Sequence, residues 1–395
     1  MKRVNILILS IILIVFSCKD KNTSSPDTGM TIENIVKTEW RNYKSSNNIP
    51  VGGLAIKIIT KNNSYFYSTD FEQDITENIH FRIASCTKTF TAASIMLLHQ
   101  QGKLNIDSTI TALIPGNGEP YVPDIPVYNI PFKNEITIRM LLEHRAGIFD
   151  VTNSIIPDSI SQPYAGESYL DYILVTEGPY HQYSFDELIG VVAENQLYYF
   201  KPDEDYHYSN TGFSILGKII ERVAAKTYSD FIHDELFVPN ELTNTSSVFE
   251  STDHGLPEPF VEGYLIFQGE LEKNYLDNMS KNIAEGNIIS TPLNLATWIW
   301  SLFHGEAGPN TQTVAMMMDC KPTGLFYEYG LGIAHVEGVG YGHDGGHLSY
   351  ITKAVYDPEA DIAIAMFTNL MNADSLYQEL DAMTEIIIKV KNELR

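Results

Sequence analysis

Segments with a strand-like pattern occur near both ends of this 395-residue chain. Two of them, residues 51–59 and 64–69, lie close to the start and are joined by a polar turn. Three more, residues 332–336, 347–356 and 362–368, lie close to the end and show a period of two or short apolar runs. Because a strand must pair to satisfy its backbone groups, both ends are predicted to build one sheet together.

Apolar residues at helical spacing account for much of the remaining chain. Segments 32–43 and 374–394 predict one helix from each end, and both are expected to pack on the sheet. The middle of the chain predicts further helices, at residues 86–101, 137–143 and 209–225. Gly102 follows the first of these as a C-cap, and the polar, aromatic stretch 154–183 is expected to be an irregular insertion over a site.

The N-terminal residues have the organisation of an export signal. A basic start precedes an apolar run at residues 4–16, which is too short to span a membrane comfortably. Ser17 and Cys18 then resemble the end of a bacterial lipobox, and polar residues follow. We therefore expect a lipid anchor on Cys18, with the domain in the periplasm or at the cell surface. The alternative is an ordinary signal peptide with an incidental Cys18.

These patterns predict one catalytic domain behind a leader and a tether. The predicted fold class is α/β (α+β), with a sheet lobe and an inserted, mainly helical lobe. The expected boundaries are 1–17 for the signal peptide, 18–30 for the polar tether, 31–395 for the domain, about 31–80 and 328–395 for the sheet lobe, and about 81–327 for the helical lobe.

The composition excludes some classes of partner. A formal net charge of −24 disfavours binding to nucleic acid and to anionic lipid surfaces. The eleven histidines show no metal-ligand spacing, so neither a metal nor a cofactor is predicted. Beyond Cys18 the cysteines are Cys86 and Cys320, and whether they form a disulfide stays open.

Ser85-Cys86-Thr87-Lys88 is the strongest chemical signal in the chain. Residues i and i+3 share one face of a helix, so the Ser85 hydroxyl and the Lys88 amine can meet. A serine hydroxyl is a weak nucleophile until a base takes its proton, and a lysine with a lowered pKa can be that base. At the start of a helix, Ser85 would also lie where developing negative charge is favoured.

Two further motifs carry polar groups that could serve the same site. Tyr208-Ser209-Asn210 precedes a predicted helix, and it offers a phenol and an amide. The simpler interpretation is an N-cap at Ser209 or Asn210 behind a packed tyrosine. Residues 342–346 (Gly-His-Asp-Gly-Gly) could present backbone N–H groups and His343 to a substrate. Their simpler interpretation is a glycine-rich turn with a solvated histidine.

The three motifs occur in an order that resembles the serine β-lactamase and penicillin-binding-protein superfamily. The nearer resemblance is to its class C β-lactamase-like branch, which includes D-Ala-D-Ala carboxypeptidases, D-aminopeptidases and esterases. The resemblance extends roughly from residue 31 to the end of the sequence. Besides the three motifs, the segments that resemble this branch are residues 102–107, 136–142, 288–292, 329–332 and 356–359. The resemblance implies an antiparallel sheet from both chain ends, flanked by helices.

The resemblance also implies roles for the motif residues. Ser85 matches the nucleophile, Lys88 its general-base partner and Tyr208 the proton-shuttling tyrosine. Asn210 matches a ligand of the substrate amide.

The third motif is implied to bind substrate through His343 and Gly345. The backbone N–H groups of Ser85 and Gly346 would form the oxyanion hole. Asp344 departs from the small residue usual there, and its negative charge is expected to repel a substrate carboxylate.

The sequence thus predicts a serine hydrolase of the cell envelope that forms an acyl-enzyme on Ser85. The expected substrate is a small molecule, a peptide or a peptidoglycan-derived compound with an amide, peptide or ester bond. One alternative is an esterase of the same family. Another is a non-catalytic lipoprotein that binds peptidoglycan or a small ligand, which the intact motif set argues against.

Overall fold

The computed structural model describes residues 28–395. The predicted signal peptide, Cys18 and most of the predicted tether lie outside these residues. Within them, no helix is both long enough and apolar enough to cross a membrane.

The described residues form fourteen strands, of which the five longest belong to the main sheet. In chain order they are β1 Leu54–Thr60, β2 Ser64–Thr69, β3 Phe81–Arg82, β4 Ser246–Ser247, β5 Tyr264–Phe267, β6 Glu270–Lys273, β7 Ile288–Ser290, β8 Lys321–Pro322, β9 Glu328–Tyr329, β10 Ala334–Val336, β11 Gly340–His347, β12 Tyr350–Asp357, β13 Ile362–Thr368 and β14 Leu370–Asn372.

Ten α-helices lie within the described part of the chain. They are α1 Thr28–Ser46, α2 Thr87–Gln100, α3 Ile138–Leu142, α4 Tyr169–Thr176, α5 Phe185–Asn195, α6 Asn210–Ala224, α7 Tyr228–Ile232, α8 Pro292–Phe303, α9 Thr311–Met317 and α10 Leu376–Leu394.

The main sheet joins the two ends of the chain, as predicted. Its strand order is β2-β1-β13-β12-β11-β10-β9-β8, and every neighbouring pair is antiparallel. β1 lies beside β13, with Leu54 opposite Thr368. β12 and β13 are buried along their whole length, as expected for central strands covered on both faces.

The two terminal helices cover one face of this sheet. α1 and α10 pack on each other, and α1 contributes Ile32, Val36 and Trp40 to a buried cluster that also includes Ile364 and Ile387. Burial of each such aliphatic side chain contributes about 1.5–3 kcal/mol to the free energy of folding, because its apolar surface is removed from water. The prediction that both terminal helices pack on one sheet is confirmed.

The middle of the chain is mainly helical, but it also contains strands that the sequence analysis missed. β4 to β7 each have two to four residues and take part in two small three-stranded sheets. A period of two cannot be recognised over so few residues. The predicted insertion at 154–183 contains α4, which begins at an N-cap where Ser168 accepts from the backbone N–H of Asp171.

The predicted strand at 347–356 has the wrong beginning, and the simpler interpretation of the glycine-rich third motif as a turn is also wrong. The motif is itself part of strand β11, which ends at His347, and a tight turn separates it from β12. Glycine has low strand propensity, so pairing with β12 and close packing decide the conformation here. A Cβ at Gly345 would stand 2.2 Å from the carbonyl oxygen of Ile83.

Candidate active site

An open cleft lies where the edge of β11 faces the turn before α2. Its cavity volume is about 130 Å³. It is lined by every candidate motif residue except Lys88, which is buried beneath it: Ser85, Tyr208, Asn210, His343, Gly345 and Gly346. The three sequence motifs therefore meet at one site.

Ser85 lies in a single 3₁₀ turn, Ala84–Cys86, directly before α2, which agrees with its predicted place at the start of the helix. Ala84 has a φ of +47°, a conformation that costs a non-glycine residue free energy and is often found at functional sites. Lys88 occupies the first turn of α2, and its Nζ lies 3.2 Å from Ser85 Oγ. The i, i+3 spacing thus brings nucleophile and candidate base together as expected.

Lys88 is fully buried, and oxygen atoms surround its amine. Its Nζ donates to Asn210 Oδ1 at 2.7 Å and to the carbonyl oxygen of Glu285 at 2.8 Å. Burial lowers the pKa of Lys88, because the charged form loses its hydration, whereas Glu285 and Asp150 raise it again. A lysine in this position can give up its proton more easily than one in water.

Glu285 is a site residue that the sequence analysis missed. Its carboxylate Oε2 lies 3.4 Å from Lys88 Nζ, and its Oε1 accepts from the amide of Asn282. The side chain is buried, and burial raises its pKa against the opposing effect of Lys88. The available signal was an acidic residue between Ala284 and Gly286, just before the apolar segment of β7.

A short chain of hydrogen bonds fixes the orientation of the Asn210 amide. Thr152 Oγ1 donates to Asp150 Oδ1, so it can only accept from Asn210 Nδ2, which lies 3.0 Å away. The amide oxygen of Asn210 is thereby turned toward Lys88. Asp150 and Thr152 were not identified from the sequence, because no spacing pattern connects them with Asn210, which lies nearly 60 residues further along the chain.

Tyr208 packs against the Lys88 amine, with Nζ 4.8 Å from the ring centroid. Burial raises the pKa of Tyr208 well above its usual value, and the nearby Ser85 side chain lowers it by a smaller amount. The hydroxyl is buried and makes no well-formed hydrogen bond with the described residues. Tyr208 is therefore a neutral phenol near neutral pH and suits proton donation better than proton uptake.

His144 is a second residue that the sequence analysis missed. It accepts a hydrogen bond from the backbone N–H of Ser209 through Nδ1 at 3.1 Å, so the neutral ring carries its hydrogen on Nε2. Burial holds the pKa of His144 well below its usual range. Since Ser209 lies between Tyr208 and Asn210, this bond fixes the backbone from which both side chains project.

His343 lies in the cleft but is largely buried rather than solvated. Its Nδ1 donates to the carbonyl oxygen of Asp344, and its Nε2 accepts from the Tyr329 hydroxyl at 2.9 Å. Burial and the nearby Lys88 lower the pKa of His343 to about 4. The ring is uncharged near neutral pH, so it offers a substrate no cationic partner.

The candidate oxyanion hole lies where β11 meets the serine turn. Ser85 and Gly346 both line the cleft. A Cβ at Gly345 would stand 3.1 Å from the backbone nitrogen of Ser85, so only glycine allows the turn to approach the strand this closely. Gly345 therefore allows the turn that contains Ser85 to lie against β11, independently of any contact with substrate.

The charge of Asp344 is balanced by a lysine that the sequence analysis overlooked. Lys353 Nζ lies 2.6 Å from Asp344 Oδ2, and the two residues are direct cross-strand partners. With its charge balanced in this way, Asp344 is not expected to repel a substrate carboxylate, contrary to the expectation from the sequence.

Two other sequence questions concern metals and cysteines. Within residues 28–395, no group of three or more His, Cys, Asp or Glu side chains could hold a metal ion. Cys86 and Cys320 are free thiols, and the buried Cys86 donates to the carbonyl oxygen of His343. The Cys86–Cys320 disulfide is therefore absent from this structure.

Comparisons with solved structures show proteins that share this fold. D-amino acid amidase from Ochrobactrum anthropi SV3, in complex with D-phenylalanine, has a similar fold with a TM-score of 0.73 and 22% identity, over 93% of this chain and 99% of the amidase. A D-stereospecific amidohydrolase from Streptomyces sp. matches with a TM-score of 0.70 and 22% identity, over 87% of this chain and 95% of the other.

Sequence comparison gives a match over part of the chain, and it also gives a family. Penicillin-binding protein 4* of Bacillus subtilis is 26% identical over 238 residues, which are 58% of this chain but only 46% of that protein. The family model described as Beta-lactamase matches residues 50–384. With this match spanning both the sheet and all three motifs, the chain belongs to the beta-lactamase family of serine hydrolases.

Proposed function

We propose that this protein hydrolyses amide or peptide bonds of small acyl compounds through an acyl-enzyme on Ser85. The observation that carries the proposal is the buried Lys88 amine, 3.2 Å from Ser85 Oγ at the floor of an open cleft. The folds shared with a D-amino acid amidase and a D-stereospecific amidohydrolase support an amide as the bond attacked.

Acylation begins when Ser85 gives its hydroxyl proton to Lys88. The Ser85 oxygen then forms a bond to the substrate carbonyl carbon, and the bond to the leaving group breaks. The leaving amine takes a proton from the lysine, directly or through the Tyr208 phenol. Backbone N–H groups of Ser85 and Gly346 would bind the oxyanion in the intermediate. Water then attacks the ester, releases the acid and restores the serine.

Asn210 is proposed to hold the substrate amide as well as the lysine. Its Oδ1 contacts Lys88, while the Asp150–Thr152 chain fixes the orientation of the amide group. D-Ala-D-Ala peptides and β-lactams are further candidate substrates, because Asp344 is balanced by Lys353 and does not oppose their carboxylate.

A panel of acyl compounds tests the proposal. Wild type and Ser85→Ala would be assayed with D-amino acid amides, a D-Ala-D-Ala peptide, nitrocefin and p-nitrophenyl acetate. We expect turnover of an amide by the wild type and its loss in the variant. Turnover of the ester alone would favour the esterase alternative, and no turnover of any compound would contradict the proposal.

We further propose that Cys18 carries a lipid that anchors the domain in the cell envelope. The support is the basic start, the apolar run and the Ser17-Cys18 pair. Labelled palmitate should enter the wild type and not Cys18→Ala. Equal labelling of both would contradict the anchor.

A further inference from the structure

We propose that Glu285 is a positioning residue that completes a Ser85–Lys88–Glu285 arrangement. Its carboxylate would stabilise the ammonium that forms when Lys88 takes the proton of Ser85. The inference rests on the proposed function, and it concerns a residue to which none of the three sequence motifs assigns a role.

The hydrogen bonds of Lys88 are consistent with a neutral amine that accepts the proton of Ser85. A neutral amine has two N–H groups and one lone pair. The two shortest contacts, to Asn210 Oδ1 and to the carbonyl oxygen of Glu285, can only accept, so they use both N–H groups. The lone pair is left for the Ser85 hydroxyl at 3.2 Å.

Protonation creates a third N–H and a positive charge in a buried site. Burying an unpaired ammonium is costly, so a nearby carboxylate has a large effect on this step. Glu285 Oε2 lies 3.4 Å from the amine, close enough to attract the charge without the tight contact that would hold a permanent ion pair. Asn282 holds the other carboxylate oxygen, so the carboxylate has a fixed position.

Several other ionisable groups surround Lys88 and Glu285, and the shifts of their pKa values decide whether they titrate together with this pair. Lys88 faces Glu285 from α2, and Asp150 faces it from the segment after α3. Tyr208 faces it from the segment just before α6, and Tyr228 faces it from α7; burial raises the pKa of both tyrosines. His144 and His343 act on Lys88, and both have lowered pKa values. Cys86 lies near Lys88 with a raised pKa.

Lys88 and Glu285 therefore titrate together, and the pKa values observed for the site belong to the pair rather than to either residue. Acylation needs the neutral amine, so its rate falls at low pH as Lys88 becomes protonated. The negative charge of Glu285 raises the pKa of Lys88. Removing that charge should shift the acidic limb of the rate profile to lower pH, and it should also lower the maximal rate.

The test is the pH profile of acylation by p-nitrophenyl acetate in the wild type, Glu285→Gln and Glu379→Gln. Glu379 is a matched control, since it is also fully buried but lies on α10 and accepts from the backbone N–H of Asn372. We expect Glu285→Gln to lower the maximal rate about 10- to 100-fold and to move the acidic limb to lower pH. Glu379→Gln should leave the position of the limb unchanged.

Two results would overturn the inference: an unmoved acidic limb, which would mean a structural role only, or a limb moved to higher pH. If Glu285→Gln does not fold, Asn282→Ala gives the second test, because it releases the carboxylate and should move the limb in the same direction by less. Ser85→Ala separates the two proposals. Full activity in that variant contradicts the acyl-enzyme itself, whereas its inactivity beside an unaltered Glu285→Gln contradicts only the role of Glu285.

Discussion

Lys88 and Lys353 are both buried lysines that face a carboxylate, yet their surroundings differ. Lys353 Nζ lies 2.6 Å from Asp344 Oδ2, in a close ion pair between neighbouring strands. Lys88 Nζ lies 3.4 Å from Glu285 Oε2, and its shortest bonds go to uncharged oxygens. The amine of Lys353 thus has a carboxylate as its close partner, whereas the amine of Lys88 has the Ser85 hydroxyl 3.2 Å away and burial lowers its pKa.

The two lysines also belong to different packing environments. Lys353 points to the same face of β12 as Ile351 and Val355, which belong to the apolar cluster under α1 and α10. Lys353 also lines the open cleft, whereas Lys88 lies beneath it. The Tyr208 ring packs on the Lys88 amine, and its hydroxyl is buried without a hydrogen-bond partner among the described residues. Burial alone therefore does not make a lysine a base; the adjoining hydroxyl and the distance to the carboxylate decide it.

The largest effect should come from replacing each lysine in turn by methionine. Lys88→Met removes the only amine beside Ser85 in the described site and should lower the rate of acylation about 10³-fold or more. Lys353→Met should change that rate by less than about tenfold. It should lower the free energy of unfolding by about 1–2 kcal/mol, a value reduced because Asp344 is partly exposed. Ester hydrolysis measures the rate of acylation, and urea unfolding measures the free energy of unfolding. Equal losses of rate in the two variants would contradict the proposed difference between the two lysines.

A smaller effect is expected from the hydrogen-bond chain behind Lys88. Thr152→Val removes the hydroxyl that joins Asp150 to Asn210, so the amide can rotate and present its nitrogen to Lys88. We expect kcat/KM to fall about tenfold, which corresponds to the loss of one buried hydrogen bond. Thr152→Ser keeps the hydroxyl and should retain most of the activity. A serine variant as impaired as the valine variant would show that packing matters here instead.

The last prediction concerns folding stability, because the titration of His343 is expected to have the smallest effect on the rate. Its pKa of about 4 in the folded protein lies below the ordinary value of 6.5. Between pH 6.5 and 4 the unfolded chain binds a proton that the folded protein does not. Folding stability should therefore fall as the pH falls through this window, by up to about 3 kcal/mol from this residue.

His343→Gln provides the control for that measurement. Glutamine can accept from Tyr329 but does not titrate, so the pH dependence of the unfolding free energy should become shallower. Some dependence should remain, because burial also lowers the pKa of His144 and His347. An identical slope in wild type and variant would contradict the low pKa of His343.

The sequence was sufficient for the parts of the molecule that depend on regular spacing. The i, i+3 relation of Ser85 and Lys88 holds although Ser85 lies in a 3₁₀ turn, because both geometries bring such residues together. The single sheet from both chain ends follows from long apolar strands such as β13, whose predicted bounds match the structure.

Features that depend on contacts between distant segments could not be predicted. Glu285 is nearly 200 residues from Lys88 in sequence, and no periodicity connects them. Strand β11 is rich in glycine, so local propensity indicated a turn, and only pairing with β12 makes it a strand. The partner of Asp344 was missed for the same reason, since it is the cross-strand register that brings Lys353 opposite.

The most direct test of the account is to find which residue reacts covalently with a fluorophosphonate, and whether that reaction requires Lys88. Wild type, Ser85→Ala and Lys88→Met would be treated with a fluorophosphonate and examined by intact-mass and peptide mass spectrometry. The account predicts one adduct per chain on the peptide that contains Ser85, no adduct in Ser85→Ala and a much slower reaction in Lys88→Met. An adduct on another residue, or undiminished labelling of Ser85→Ala, would contradict it.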